Sequence, residues 1–240
     1  VMIAPSAVLL DLDGTLVDPA WAITSGIRHA LGKARIPDPG EEKLLSLIGP
    51  PLTIGLATID GVNEENIDGL IATYRAQYAR SGMAQSRPYP GVVEILAALR
   101  AAGLTVLVAT AKPKRIADRL LEVQGLAGLL DGVFGNDDEG DGRSSSKAHI
   151  LAAAIREHNL DPARCVMVGD RRYDIEAAHE NKVTSIGVGW GFADEGELEA
   201  AGAGAHATDV PELAGMLLGV GAVEALRESM QGATTTGANA

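Results

Sequence analysis

Cysteine is almost absent from this chain: Cys165 is the only one. An intramolecular disulfide is therefore excluded, which suits a reducing compartment and leads us to expect a cytoplasmic protein. The thiol lies within Arg164-Cys165-Val166-Met167-Val168, a run that reads as buried strand, so it is expected to be an inert core group. Aromatic residues are scarce as well, 3% of 240 residues against 46% hydrophobic overall, so helices and sheet must pack through small and aliphatic side chains. Long apolar runs are missing. The longest spans residues 104–109, far short of the roughly 20 that a membrane helix needs. The N-terminus lacks a basic region followed by an apolar one and does not read as a signal peptide. Basic residues are in deficit, with 20 Lys and Arg against 32 Asp and Glu, and the formal charge of −12 repels nucleic acid polymers and anionic membranes. Neither is expected as a partner.

Four short apolar runs are present, at residues 7–10, 105–109, 165–168 and 185–188, each bounded by glycine or polar turn residues; they read as buried strands. Amphipathic stretches of helical length occupy residues 92–102, 115–124, 147–157 and 175–181 between the later ones. Strands alternating with helices predict an α/β fold, a Rossmann-like parallel sheet with helices on both faces. Active sites of such sheets lie at the carboxyl ends of the strands, near a topological switch point. About ninety residues separate the first strand from the second, and most read as helix: 20–33, 41–48, 52–59 and 64–80, interrupted by Pro37, Pro39, Pro50-Pro51 and Gly61. This is an insertion, expected to form a small α-helical domain. The predicted plan is a core of residues 1–17 and 88–219, a helical domain of residues 18–87, and a C-terminal segment of residues 220–240. Within that last segment a helix is expected over 223–231 and a disordered tail over 232–240, which has no charge and no large apolar side chain. Arg87-Pro88-Tyr89-Pro90-Gly91 is expected to be one hinge and residues 17–19 the other.

Asp11 and Asp13 follow the first strand directly, and a period of two puts both carboxylates near one side before Gly14 allows a sharp turn. Like charges held this close repel each other, and a divalent cation would relieve the repulsion. The pair suits phosphoryl transfer, one carboxylate attacking phosphorus and the other giving a proton to the leaving alcohol. A helix cap or solvated turn is the plain alternative.

Asp11-Leu12-Asp13-Gly14-Thr15 at a strand end resembles the first signature of the haloacid dehalogenase superfamily. Three further matches follow in order: Thr110 after the second strand, Lys147 at the start of a helix, and Val168-Gly169-Asp170-Arg171-Arg172-Tyr173-Asp174 after the third. The resemblance implies phosphate binding by Thr110 with the backbone N–H of Ala111, and by Lys147, for which Lys112 competes. It implies Mg²⁺ on Asp11, the backbone carbonyl of Asp13, and Asp170, with Asp174 bound through water or orienting the other ligands. Asp174 alternatively favours the dipole of its own helix. Ile48-Gly49-Pro50-Pro51-Leu52, Tyr89-Pro90-Gly91-Val92 and Val108-Ala109-Thr110-Ala111-Lys112-Pro113 look like the phosphoglycolate phosphatase and bacterial 5′-nucleotidase-like branch.

The function implied is a Mg²⁺-dependent phosphatase that hydrolyses a small phosphorylated substrate, phosphoglycolate or a nucleoside monophosphate, through an aspartyl phosphate on Asp11. Asp13 serves as acid and then base. The alternatives are a mutase or kinase-like phosphotransferase, and a catalytically idle binding or regulatory module, which the intact motifs argue against. The resemblance implies that the insertion is an α-helical cap domain, with Arg28, Gly49-Pro50-Pro51, Arg75 and Tyr78 as its candidate specificity groups, and a monomer or homodimer is expected. The acids Asp137, Asp138, Glu139 and Asp141 lack the spacing of an EF-hand and read as a solvated loop. Gly187-Val188-Gly189-Trp190-Gly191 does not match a dinucleotide loop, and no histidine has metal-ligand spacing.

Overall fold

The computed structural model describes residues 5–50, 52–136 and 147–236. Pro51 and the acidic cluster at 137–141 lie outside the described residues.

Six parallel strands make the central sheet, in the order β5-β4-β1-β6-β7-β8. They are β1 (Ala7–Leu10), β4 (Thr105–Pro113), β5 (Gly132–Asn136), β6 (Cys165–Gly169), β7 (Thr184–Val188) and β8 (Ala205–Ala207). The chain starts in the middle of the sheet, fills one side through β4 and β5, then crosses β1 to fill the other. This reversal puts the switch point at β1. The alternation of side chains explains why the apolar runs are continuous: both faces are covered. Val8, Leu10, Val106, Val108, Val166 and Val168 point to one apolar cluster, packed by α5 (Val92–Ala101), α6 (Lys114–Val123) and α10 (Val210–Leu218). Ala7, Leu9, Leu107, Ala109, Cys165 and Met167 point to the other, packed by α7 (Lys147–Glu157) and α8 (Arg172–Glu180).

Two strands escape sequence patterning. In β5, Gly132 and Gly135 dilute the β-branched signal, and β8 is a three-residue edge strand, Ala205-His206-Ala207. The final helix, α11, runs over Gly221–Thr236, so the backbone stays helical beyond the expected limit at Gln231. The expected disordered tail is corrected to that extent; residues 237–240 are outside the described ones.

The insertion holds α1 (Ala20–Lys33), α2 (Glu41–Leu45), α3 (Leu52–Leu56) and α4 (Ile67–Gln77), which continues as a π-helical turn over Tyr78–Gly82. Its two connections pair with each other: β2 (Val17–Asp18) and β3 (Arg87–Pro88) form an antiparallel ribbon. Helix α1 begins where Asp18 Oδ1 accepts from the Ala20 N–H at 2.9 Å, and it buries Ile23, Ile27, Ala30 and Leu31 at helical spacing. Gly26 lets it lie close to α4, since a β-carbon there would sit 3.0 Å from the Tyr74 ring. The apolar cluster of the sheet continues into this insertion without a break.

Candidate active site

The carboxyl ends of β1, β4 and β6 converge. The Asp11 N–H donates to the Val168 carbonyl at 2.9 Å, continuing the ladder one residue past β1 and fixing the Asp11 carboxylate beside the end of β6. Gly14 then turns at φ +86°, a conformation that L side chains resist. Space also demands glycine here. A β-carbon on Gly14 would lie 2.1 Å from Asp170 Oδ2, and one on Gly191 would lie 2.2 Å from Asp170 Cβ. One on Gly169 would lie 2.1 Å from Asp174 Cγ.

Asp11, Asp170 and Asp174 are all buried, and one carboxylate oxygen from each falls within 4.8 Å of the other two. Lys147, the first residue of α7, reaches into this cluster: its Nζ is 2.7 Å from Asp11 Oδ1 and also pairs with Asp174 Oδ1. Burial alone would lower the Lys147 pKa, but Asp11 and Asp174 hold it above the ordinary value. Burial pushes the Asp170 carboxyl well above its usual range, and the charges of Asp11 and Asp174 push it further. One ammonium thus faces three buried carboxylates. A hard divalent cation fits this set of oxygen donors and would relieve the excess negative charge. Asp170 is already oriented, accepting from Thr15 Oγ1 at 3.3 Å and from the Phe192 N–H at 2.8 Å. The Arg171 N–H donates to Asp174 Oδ2 at 3.0 Å and caps α8, so Asp174 serves the helix as well as the cluster.

Asp13 lies apart from that cluster. Its Oδ2 pairs with Lys112, while its buried Oδ1 takes no hydrogen bond among the described residues. Lys112 sits 4.9 Å from the centroid of the Tyr78 ring, contributed by the π-helical turn. Burial would lower the pKa of this lysine, but Asp13 and the two tyrosines raise it. Lys112 and Lys147 thus pair with different carboxylates. Thr110 is buried, and β4 does not stop before it as expected. The strand continues to Pro113, with its pairing to β5 irregular between Ala109 and Pro113. Such bulges redirect side chains at sheet ends, and here the irregular stretch spans Thr110, Ala111 and Lys112. Asn136, at the end of β5, steadies it by donating from Nδ2 to the Ala111 carbonyl at 2.6 Å.

Between sheet and insertion lies a cavity of about 390 Å³, lined by Asp11, Asp13, Thr110, Ala111 and Lys112 below. Gly49, Pro50, Arg75 and Tyr78 line it from the insertion, whereas Arg28 does not. Arg28 pairs instead with Asp38 at 2.9 Å and with Glu41, which corrects its candidacy as a specificity group. His149 reaches the cavity although no local pattern singled it out.

Several contributors were invisible from the sequence. The Trp190 Nε1–H donates to the Thr15 carbonyl at 3.1 Å, so Gly187 to Gly191, unremarkable as a dinucleotide loop, braces the first signature instead. Buried Arg171 donates from Nε to Glu197 Oε1 at 2.9 Å and from Nη1 to the Ile48 carbonyl, joining the loop after β6 to the insertion. Gly49, at φ +105°, admits the arginine stem, since a β-carbon there would lie 2.9 Å from Arg171 Cγ. The glycines were readable as signals. The partnership of Arg171 with Glu197 had none, because the two residues are far apart in the chain.

Comparison with known proteins agrees with this geometry. A family model described as haloacid dehalogenase-like hydrolase matches residues 8–188. Tyrosine-protein kinase PtkA of Mycobacterium tuberculosis is 35% identical over 88% of this chain and 72% of its own. A 5′-nucleotidase of Pseudomonas aeruginosa is 34% identical over 80% of this chain and 86% of its own. The crystal structure of a predicted phosphatase from Clostridium acetobutylicum superposes with a TM-score of 0.81 at 34% identity, covering 88% of this chain and 97% of that one. The chain belongs to the haloacid dehalogenase-like hydrolase family and is a phosphatase enzyme of that family.

Proposed function

We propose that the chain hydrolyses small phosphate monoesters in two steps through Asp11. In the first, an Asp11 carboxylate oxygen bonds to phosphorus as the bond to the leaving oxygen breaks, and Asp13 protonates the departing alcohol. In the second, water attacks phosphorus while Asp13 takes its proton, and the bond between Asp11 and phosphorus breaks to release inorganic phosphate. Thr110, the Ala111 N–H and Lys147 hold the non-bridging oxygens, and Lys147 offsets the charge on the nucleophile. Mg²⁺, held by Asp11, Asp170 and the Asp13 carbonyl with Asp174 as ligand or support, would supply charge neutralisation between nucleophile and phosphate. The helical insertion acts as a cap that excludes water from the first step. Phosphoglycolate and nucleoside monophosphates are the substrates implied by the branch resemblance. A cytoplasmic monomer or homodimer, with neither nucleic acid nor membrane as partner, completes the reading; no helix among the described residues is long and apolar enough to cross a membrane.

The observation that carries this reading is the separation of the two carboxylates that follow β1. Asp11 lies in the lysine-compensated cluster of three acids, while Asp13 keeps a buried oxygen that takes no hydrogen bond among the described residues, beside the same cavity. The test is Mg²⁺-dependent phosphate release from an aryl phosphate. Asp11→Asn is expected to lose at least ~10⁴-fold in kcat, and a variant as fast as wild type would end the proposal. The similarity to a tyrosine kinase favours one second reading, phosphoryl transfer to an acceptor other than water. Phosphorylation of an added acceptor in preference to phosphate release would establish it.

A further inference from the structure

The cations around the cavity bear on which alcohol leaves. Phosphoglycolate places a carboxylate one methylene from the oxygen that carries its phosphate, so an enzyme built for it needs a free cation or donor set close to the phosphate position. Among the described residues the buried cations there are already engaged: Lys112 with Asp13, and Lys147 with Asp11 and Asp174. Arg75 makes no ion pair among the described residues but stands on the exposed side of α4, and His149 is exposed too. Above the phosphate position the insertion presents Ile23, Leu47, Leu52, Ile71, Tyr74 and Tyr78. A carboxylate placed against that wall would give up its water for aliphatic groups, close to the Asp11 and Asp13 carboxylates. Such burial of an unpaired charge is strongly unfavourable.

The wall suits a different leaving group. Tyr74 and Tyr78 lie with ring centroids 5.7 Å apart and planes inclined by 30°, a tilted aromatic pair that lines the cavity. The volume of about 390 Å³ lies in the range of sites that enclose ring-bearing ligands and exceeds what a two-carbon acid fills. Lys112, over the Tyr78 ring, ties this wall to Asp13, the proposed proton donor to the leaving oxygen.

We infer that this phosphatase selects monoesters of uncharged, ring-bearing alcohols and discriminates against small phosphates that carry a carboxylate, so that phosphoglycolate is a poor substrate. The inference rests on the phosphatase reading above. The experiment is steady-state kinetics with Mg²⁺ on 2-phenylethyl phosphate, phosphoglycolate and glycerol phosphate, all alkyl esters so that an activated leaving group does not set the order, using wild type, Asp11→Asn and Leu52→Ser. Leu52 is only half-buried and belongs to the insertion, outside the sheet. A single methylene in an apolar pocket is worth roughly tenfold or more in selectivity, so kcat/KM for 2-phenylethyl phosphate is expected to exceed that for phosphoglycolate by at least ~10-fold on the same grounds. Leu52→Ser is expected to shift the ratio of kcat/KM for phenylethyl over glycerol phosphate several-fold toward the smaller ester. Phosphoglycolate turned over as well as or better than the phenylethyl ester, or a ratio unmoved by Leu52→Ser, overturns the inference while leaving the phosphatase reading intact. Wild type no faster than Asp11→Asn on every ester overturns both.

Discussion

The sheet ends and the helical insertion meet at one cavity but are built on opposite principles. At the sheet ends nearly every polar side chain is committed: Asp170 to Thr15 and Phe192, Asp174 to Arg171 and Lys147, Lys112 to Asp13. Glycines hold the carboxylates at distances that no β-carbon would permit. The insertion instead offers an apolar wall, with its cations at the rim or, like Arg28, turned to other partners. Preorganised charge accelerates a fixed reaction, whereas an apolar wall adjusts to different leaving groups at small cost. Substitutions below the cavity are therefore expected to destroy chemistry, and those above it to redistribute substrate preference.

The sharpest way to break that contrast is a substitution that adds one methyl group and removes none. Gly191→Ala drives a β-carbon into the place of the Asp170 carboxylate, 2.2 Å from its Cβ and 2.3 Å from Oδ2. Asp170 must then leave the donors Thr15 and Phe192. Because orienting partners of metal ligands are commonly worth 10- to 100-fold in affinity, the Mg²⁺ concentration for half-maximal activity is expected to rise by about 10², with overall folding, followed by circular dichroism, retained. Unchanged Mg²⁺ dependence would mean that Asp170 does not need the cradle.

A smaller effect is expected where the two regions are joined. Arg171→Met cuts the tie to the Ile48 carbonyl and the ion pair with Glu197. Glu197 still accepts from the Arg172 and Asp194 N–H groups at 2.8 and 3.2 Å, so no carboxylate is stranded and the stability loss is expected to be about 1–3 kcal/mol. The freed segment includes Gly49 and Pro50 of the cavity wall. KM is expected to rise about three- to tenfold with a lesser fall in kcat, since the cost is one of ordering the wall on binding. Arg171→Lys should recover part of the loss. A fall in kcat with KM unchanged would assign Arg171 to the chemistry below instead.

What the sequence disclosed follows the same division. The sheet-end residues were legible because each lies at a strand boundary with a fixed local pattern, as in Asp11-Leu12-Asp13-Gly14 and Gly169-Asp170. Roles that depend on distant partners were not. Nothing local says that Lys112 would reach Asp13 across the sheet, that Phe192 would donate to Asp170, or that Arg171 would carry the Ile48 segment. Helices α1 and α4 announced themselves by periodicity, but the place of Tyr78 on a π-helical turn has no such signature, and β8 is too short to show one. Arg28 was misjudged because charge alone does not tell whether a partner such as Asp38 will fold back onto it.

The smallest effect is expected at the end of β6 opposite the carboxylate cluster. Cys165 begins β6 and Asp170 follows its end, so at about 3.3 Å per residue the two lie on the order of 16 Å apart. The thiol is buried on the face covered by α7 and α8, where its Sγ donates to the Asp161 carbonyl at 3.2 Å. Burial, with the Asp161 charge adding to it, pushes its pKa up to about 11. At pH 7.5 it is therefore a thiol, neither nucleophilic nor accessible, and an alkylating reagent is expected to leave native protein unmodified while labelling it fully in denaturant. Cys165→Ala removes one buried atom and its weak hydrogen bond, with an expected cost of about 1 kcal/mol and kcat/KM within about twofold of wild type. Rapid labelling of the native protein, or a loss of activity larger than the loss of stability, would show that the core beneath the site is less rigid than its packing implies, and that the clustered carboxylates depend on more than the glycine cradle that surrounds them.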